Sequence, residues 1–335
     1  MKQIKGLDLE DTGVPIALCW SPDGRYLAVN RPQDSVSIYA FIDDLSGIDS
    51  TPQIVLETGP ATELRWSADG QTLTVIDESR AVGALTVTAW SAVTWDKLRT
   101  QFIPATPLSA WDAEFSFSVQ ADGNRLILPD RTVEVSHAAI DRICMSAGGT
   151  TLVMTVGESE QMRSSHLASE DQPLRHPLDA IEVWDLVSGL RVNTWSTRLH
   201  QVTEISISPD GRFFILRGYY QGGDGIGDVR RDFSIFEYTK PESIFRDWGF
   251  GFLEDVPMLP AWAADSQQVL YWAFTKRLSG PVNPYISVFD TRDHTEKKYR
   301  HSALAAMTPA TLAWTSVQGL LAIGDVSGGV TVFRL

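Results

Sequence analysis

The sequence of 335 residues predicts an all-β fold, a seven-bladed β-propeller that is closed by pairing of its two ends. Three observations lead to this prediction. A strand-turn-strand pattern occurs seven times, the copies have spacings that suit four-stranded blades, and the last copy lacks a strand that the N-terminal segment can supply. Repetition at such intervals is typical of toroidal repeat architectures.

Each copy joins two apolar strands through a short polar turn. In the first copy, IALCWSPDGRYLAV, Pro22 fixes one backbone angle, Asp23 can bond to nearby amides and Gly24 accepts a positive φ. A single Asp-Gly turn predicts only a hairpin, whereas seven related turns predict repeated blades. The copies begin at Ile16, Thr62, Phe115, Asp141, Thr203, Leu259 and Thr311.

The spacing of the turns predicts the size of each blade. Equivalent turn positions fall at 23, 69, 122, 148, 210, 265 and 317. A four-stranded blade needs ~40 to 45 residues, and the interval of 26 residues from 122 to 148 is too small for one. We therefore expect the third blade, from about Trp111 to His137, to be short or to lack its outer strand.

The two ends of the chain complete the last blade in this prediction. The sequence ends with GGVTVFRL, one strand short of four, and the segment QIKGLDL at 3–9 can pair with Val330 to Leu335. Such closure removes free sheet edges. We expect residues 1–335 to form one propeller domain.

Composition limits the functional classes. The formal net charge of -14 disfavours binding to nucleic acid or to anionic membranes and allows a protein partner with a basic surface. No apolar run reaches the ~20 residues of a membrane span, and the first residues lack the apolar core of a signal peptide. Cys19 and Cys144 occupy the same position in the first and fourth copies, and a disulfide between them would have to cross the ring, so we expect reduced core thiols and a cytoplasmic protein. We also expect the chain to be monomeric on its own.

Two segments carry a resemblance to a known family. LHQVTEISISPDGRFFILRG from Leu199, with His200 ahead of the strand, resembles the opening of a WD40 repeat. IEVWDLVSGLRVNTW from Ile181 resembles its closing part, with Trp184-Asp185 at the strand end. The chain thus resembles a divergent WD40-like propeller, and the Pro-Asp-Gly turns also resemble TolB-type propellers. The WD40 resemblance implies a binding platform without chemistry of its own, such as a scaffold, adaptor or subunit.

Long insertions predict where a partner binds. In a four-stranded blade, the loops from the second to the third strand and from the fourth strand to the next blade open on one face. Long segments fall at such places at 157–179, 217–232, 241–256 and 274–284. They carry aromatic and cationic residues, which often anchor protein interfaces. We predict a partner-binding half-rim with Arg163, Tyr219, Tyr220, Arg230, Arg231, Arg246, Trp248, Lys276 and Arg277.

Structural roles are the alternative for these aromatic residues. Trp248, Phe250 and Phe252 alternate with period two, which is also typical of an outer strand packed between blades. The pair Tyr219-Tyr220 suits burial as well as contact with a partner.

Sequence support for a metal, phosphate or catalytic site is weak. Asp224, Asp228 and Asp232 could gather around Ca²⁺, but their spacing fits no calcium motif and favours a plain loop. The glycines at 222–227 precede no helix that could bind phosphate. His166 and His176 share a loop and suit solvated histidines better than metal ligands. We predict no cofactor, metal or catalytic residue. The alternative is an enzyme or small-ligand sensor with its site at the channel mouth.

Overall fold

The structure is a computed structural model. It describes residues 1–7, 14, 17–31, 35–42, 47–48, 51–59, 61–79, 84–104, 108–112, 115–116, 118–135, 139–157, 180–196, 201–221, 229–240, 242–249, 260–275 and 283–335. Within these residues, the strands form seven sheets and the remaining regular element is a 3₁₀ helix at Ser302–Ala306. The predicted all-β, seven-bladed β-propeller is confirmed.

The chain divides into two compact units. The first unit contains Met1–Ala105 with Asp255–Leu335, and the second contains Thr106–Glu254.

Four sheets belong to the first unit. The strand bounds are β1 Lys2–Leu7, β2 Ala17–Trp20, β3 Tyr26–Arg31, β4 Ser35–Ile42, β5 Gly47–Ile48, β6 Ile54–Glu57, β7 Ala61–Trp66, β8 Thr72–Ser79, β9 Ala84–Ser91 and β10 Lys97–Pro104, and then β23 Pro260–Trp262, β24 Gln268–Thr275, β25 Asn283–Asp290, β26 Thr295–Tyr299, β27 Pro309–Thr315, β28 Leu320–Asp325 and β29 Val330–Arg334. The first sheet contains β2 to β6, the second β7 to β10, the sixth β23 to β26, and the seventh β27, β28, β29 and β1.

Three sheets belong to the second unit. The strand bounds are β11 Ser109–Trp111, β12 Ser118–Asp122, β13 Arg125–Ile127, β14 Thr132–Glu134, β15 Ala139–Met145, β16 Thr151–Gly157, β17 Ala180–Asp185, β18 Leu190–Ser196, β19 Gln201–Ile207, β20 Phe213–Gln221, β21 Val229–Glu237 and β22 Ser243–Gly249. They form the third, fourth and fifth sheets, with four consecutive antiparallel strands in each.

The N-terminal strand completes the seventh sheet, as predicted. β1 pairs antiparallel with β29, with Gln3 opposite Phe333 and Leu7 opposite Val330. The half-buried Ile4 packs against an apolar cluster that contains Val332. The observed strand is Lys2–Leu7, so it begins one residue before the predicted segment 3–9.

The repeated turn has one backbone geometry in both units. Gly24, Gly70, Gly149, Gly211 and Gly319 all have positive φ, between 62° and 75°. In the sixth sheet Ser266 takes this position with φ of 61°, at the copy where aspartate is followed by serine instead of glycine. Ser21 shows why the turn closes, because its hydroxyl donates to Asp23 (2.7 Å) and accepts from the Tyr26 amide (2.9 Å).

In the third sheet, the repeated turn does not lie at Asp122, where the sequence pattern predicts it. Asp122 and Arg125 close the hairpin between β12 and β13, which are the second and third strands and not the first and second. The equivalent turn lies earlier, where the Phe115 amide donates to the Asp112 carbonyl (3.3 Å) and φ of Phe115 is 55°. A phenylalanine replaces the expected glycine there, so the sequence pattern pointed to the wrong hairpin.

The corrected turn also changes the size of the third blade. From 70 to 115 is 45 residues and from 115 to 149 is 34 residues, instead of 53 and 26. The blade is short, with strands of three to five residues, but it keeps its outer strand β14.

Neighbouring sheets pack face to face within each unit. In the first unit, Leu18 and Trp20 of the first sheet share a cluster with Leu320 of the seventh. In the second unit, Val153 of the fourth sheet shares a cluster with Phe214 of the fifth. Strands such as β28, LLAIGD, are therefore buried on both faces, which explains their continuous apolar sequence.

Candidate functional site

The ends of four strands in the fifth sheet bring together most of the described residues that the sequence analysis selected. We call this end of the sheet the fifth-sheet rim and define it as residues 201–204, 217–221, 229–233 and 247–249, from β19, β20, β21 and β22. All four segments lie at the same end because the strands are antiparallel.

The strands extend further into the predicted loops than expected. β20 continues to Gln221 and β21 begins at Val229, so that Tyr219, Tyr220, Arg230 and Arg231 are strand residues and not loop residues. Buried side chains of the same strands, such as Phe214 and Ile235, anchor this hairpin in the core. A paired strand holds its residues more rigidly than a free loop does.

The register of the rim pairs tyrosines with arginines. Tyr219 lies opposite Arg231, and Tyr220 lies opposite Arg230, across β20 and β21. On the next strand, Trp248 lies opposite Asp232. These six residues therefore occupy three adjacent rows of one sheet.

An ion pair lies beside these rows. Arg217 on β20 lies opposite Glu204 on β19, and its guanidinium is 2.9 Å from the Glu204 carboxylate. The register shifts between Val202 and Glu204, and the hydroxyl of the intervening Thr203 donates to the Arg217 carbonyl (3.2 Å). This β-bulge bends β19 next to the ion pair of Glu204 and Arg217.

A second arginine joins this cluster from the fourth sheet. Arg142 Nε donates to the Val202 carbonyl (2.7 Å), which links β15 to β19 within the second unit. Burial raises the pKa of the Glu204 carboxyl above its ordinary value, although Arg217 and Arg142 oppose the rise. A partly buried carboxylate that interacts with two guanidinium groups is an arrangement that functional sites use. We call Arg142, Glu204 and Arg217 the inner charge cluster.

The inner charge cluster was not predicted from the sequence. Glu204 and Arg217 are 13 residues apart, and the bulge at Thr203 sets their register. A weak signal exists, because Thr62-Glu63 repeats Thr203-Glu204 at an equivalent bulge, where Thr62 donates to the Ile76 carbonyl (3.3 Å). Charged residues on otherwise apolar first strands could have indicated the cluster.

The other residues selected from the sequence lie on β22 or outside the described residues. Arg246 lies on β22 opposite Ser234 and is half-buried. Trp248 belongs to the outer strand β22, as the structural alternative expected. Outside the described residues lie Arg163, Phe250, Phe252, Lys276, Arg277, Asp224, Asp228, the glycines at 222–227, His166, His176 and His200.

Two described histidines have structural roles. His301 Nδ1 accepts a hydrogen bond from the Ala303 amide (3.2 Å) and thereby caps the 3₁₀ helix. His294 has a φ of 58° in the turn before β26 and stacks on Phe289. Neither Cys19 nor Cys144 belongs to a disulfide. Burial raises the pKa of Cys19 to about 12, so this thiol is not an activated nucleophile.

The Trp-Asp pair of the fourth sheet also has a structural role. Trp184 Nε1 donates to the buried Glu182 carboxylate (2.9 Å). Asp185 accepts from the Val187 amide (2.8 Å), and Gly189 closes this turn with a φ of 70°. Arg191 completes the arrangement by donating to Glu182 (2.8 Å).

The described residues contain neither a metal-binding group of side chains nor a membrane-spanning helix. There, no cluster of three or more His, Cys, Asp or Glu side chains could hold a metal ion. The same part of the chain has no helix with the length and apolar character needed to cross a lipid bilayer.

Comparison with solved structures supports the propeller fold. No family model and no curated protein matches the chain. Among solved structures, a chain of hydrazine synthase from Kuenenia stuttgartiensis is similar, with a TM-score of 0.57 and 12% sequence identity over 97% of this chain and 96% of that chain. At this identity the similarity shows a shared propeller architecture, and function must be argued from the site.

Proposed function

We propose that this chain is a non-catalytic, WD40-like interaction platform that binds a protein partner through the fifth-sheet rim. The observation that carries the proposal is the register in which Tyr219 and Tyr220 lie opposite Arg231 and Arg230. Tyrosine, tryptophan and arginine are the residues that most often dominate binding energy at interfaces. Their position on paired strands lowers the entropy that binding would otherwise cost.

Charge supports a protein partner over a nucleic acid. The net charge of -14 repels phosphate backbones and attracts basic surfaces from a distance. The paired arginines of the rim supply a local cationic contact for carboxylates at the interface. As a cytoplasmic scaffold or adaptor subunit, the protein would keep Cys19 and Cys144 reduced.

A pull-down with matched charge reversals tests this function. The tagged protein is used to capture proteins from its host, and we expect a stoichiometric partner that the double variant Arg230→Glu, Arg231→Glu no longer retains. The control is Arg25→Glu with Arg212→Glu, which changes the net charge equally at exposed residues that follow the first strands of the first and fifth sheets. Equal retention by both double variants, or no stoichiometric partner, would contradict the proposal.

The inner charge cluster supports a second candidate function, a small-ligand sensor or enzyme site. Arg142 and Glu204 are half-exposed and offer a cation and an anion on adjacent first strands, which suits a zwitterionic ligand. A thermal-shift screen of metabolites and metals tests it, because a ligand at one hundred times its Kd stabilises by about 2.7 kcal/mol. A shift that Arg142→Ala abolishes would favour the sensor, and a flat screen would favour the platform.

A further inference from the structure

Three half-buried aromatic side chains meet at the boundary between the first and second sheets, within the first unit. Tyr26 begins β3, Trp66 ends β7, and Trp95 lies in the turn between β9 and β10. All three pack on one apolar cluster of these two sheets and remain partly exposed. We call Tyr26, Trp66 and Trp95 the aromatic trio.

Two rings of the trio are nearly parallel, and the third is perpendicular to both. The planes of Tyr26 and Trp66 differ by 14°, and their centroids are 6.3 Å apart. The Trp95 ring stands at 86° to Tyr26 and at 83° to Trp66, with centroids 5.6 and 6.2 Å away. The centroids thus form a triangle with similar sides. A cation up to about 5 Å above its centre lies within the ~6 Å at which aromatic rings attract cations.

Trp95 occupies a backbone position that suits glycine. Its φ is 61°, and its amide donates to the Ser91 carbonyl (2.8 Å). In the corresponding turn of the fourth sheet, Gly189 has a φ of 70° and donates to the Asp185 carbonyl (2.8 Å). A left-handed backbone is unfavourable for a bulky side chain, and such residues concentrate at functional sites. The Trp95 indole therefore reaches the trio despite backbone strain.

Two exposed carboxylates lie in the turns that carry the trio. Asp69 lies in the turn after β7, and Asp96 directly follows Trp95. Both turns are at the same end of the second sheet, because its strands are consecutive and antiparallel. Hydrogen bonds from the Ser67 hydroxyl (2.6 Å) and the Gln71 amide (2.9 Å) lower the pKa of Asp69. Neither carboxylate belongs to an ion pair in the part of the chain that the structure describes.

We propose that the aromatic trio binds a trimethylammonium group, as found in choline and in trimethylated lysine. The aromatic faces, the two carboxylates and the net charge of -14 all attract a cation. The Arg25 guanidinium already lies 6.0 Å from the Tyr26 centroid, an internal example of such an attraction. The site is independent of the fifth-sheet rim, which lies in the second unit.

Methylation is what suits the cation to this site. An unmodified ammonium group is strongly hydrated, and aromatic faces replace few of the hydrogen bonds that it would lose. A trimethylammonium group has no N–H to satisfy, and its methyl groups can contact the rings while the charge interacts with their faces. The trio therefore favours the trimethylated cation over free lysine.

Titration with choline and with its neutral analogue tests the recognition of charge. The analogue is dimethylbutanol, in which a carbon atom replaces the nitrogen of choline. Calorimetry or NMR should show that choline binds at least about tenfold more tightly, because cation–π attraction requires the charge. Equal affinities, or no binding of any trimethylammonium probe at the highest soluble concentration, would overturn the proposal.

A modified peptide distinguishes the two sources of the ligand. The probe is a tripeptide with blocked ends and Nε-trimethyllysine between two alanines. Binding tighter than that of choline would identify a protein side chain as the ligand, and weaker binding would identify a free small molecule. The same peptide with unmodified lysine should bind at least about tenfold more weakly. Equal affinity of the two peptides would show that charge alone is recognised and would overturn the proposal.

Variants locate the site. Trp95→Gly removes the indole where glycine suits the backbone, so the protein should fold and bind choline at least about tenfold more weakly. His294→Gly is the matched control, since it replaces the left-handed residue (φ of 58°) of the corresponding turn in the sixth sheet and should leave the affinity unchanged. Circular dichroism verifies both folds. The double variant Asp69→Asn, Asp96→Asn should weaken choline and leave dimethylbutanol unaffected. Unchanged choline binding by Trp95→Gly, or by the double variant, would contradict the assigned site.

Discussion

Gly211 lies directly against Thr151 where the turns of the fourth and fifth sheets meet in the second unit. A Cβ atom at Gly211 would stand 2.8 Å from Thr151 Oγ1, and the residue has a φ of 75°. The repeated glycine of this turn thus serves two purposes, a left-handed backbone and close packing of neighbouring sheets.

Gly211→Ala is expected to lower the free energy of unfolding by about 2–4 kcal/mol, because it combines left-handed strain with overpacking. Gly123→Ala is the control, since Gly123 has a φ of 58° but no atom within 4 Å of its Cβ position. It should cost only the backbone strain, about 1–2 kcal/mol. Urea unfolding measures both, and equal losses would contradict the role of Thr151.

Ile4→Asp is expected to weaken the junction between β1 and β29. Ile4 packs on the cluster that contains Val332, so a carboxylate there should cost about 1–3 kcal/mol in unfolding free energy. The neighbouring Gln3 is exposed, and Gln3→Asp should change stability by less than about 0.5 kcal/mol. A chemical unfolding curve that is the same for both variants would show that this strand does not contribute to stability.

Glu204→Gln should change how stability depends on pH. Burial raises the pKa of Glu204 in the folded protein above the ordinary value of 4.5. The folded state therefore binds the proton more tightly than the unfolded state, and this group lowers stability as pH rises from about 4.5 through the raised pKa. The variant should gain stability relative to the wild type at neutral pH and lose that gain on acidification. Thermal melts across this pH range measure the difference, and a constant difference would contradict the shift.

Glu296 should behave in the opposite way. Burial alone would raise its pKa, but hydrogen bonds from Ser287 (2.6 Å) and Tyr271 (2.7 Å) and the ion pair with Lys298 (3.1 Å) outweigh burial and lower it. Its contribution to stability is therefore present above about 4.5 and is lost as pH falls through the lowered pKa.

Glu296→Ala is expected to cost about 2–4 kcal/mol at neutral pH, because the buried hydroxyls of Tyr271 and Ser287 lose their acceptor. Denaturant titrations at neutral and acidic pH measure this cost, which should shrink in acid. Glu242→Ala removes an exposed carboxylate and serves as the control. A loss no larger than that of the control would contradict the assigned hydrogen bonds.

The turns explain how much of the fold the sequence could predict. Where a copy contains Asp-Gly, as at Asp23-Gly24, the left-handed residue is evident from the sequence, and the seven sheets follow. In the third blade the left-handed residue is Phe115, which no propensity suggests. The Asp122-Gly123 sequence was therefore aligned with the repeated turn, although it belongs to the next hairpin, between β12 and β13. A short turn sequence such as Asp-Gly predicts a turn, but it does not determine which two strands of the blade the turn joins.

The candidate site shows a different limit. The residue types of the rim were visible in the sequence, because Tyr219-Tyr220 and Arg230-Arg231 stand out in an acidic chain. Their pairing was not visible, since it depends on strands of nine residues that extend into the expected loop. The contact of Glu204 with Arg217 depends on a bulge, and a single irregular residue in a ladder has no clear sequence pattern.

The hydrogen bond from Gln318 Nε2 to the Asp23 carbonyl (3.1 Å) joins residues that are 295 positions apart, at the seam where β1 also completes the seventh sheet. During synthesis, β1 leaves the ribosome long before its partner β29. The first sheet must therefore wait with one flank uncovered until the strands of the seventh sheet have been made, and contacts of such long range form slowly. This seam is where a chaperone would have most to protect in the nascent chain.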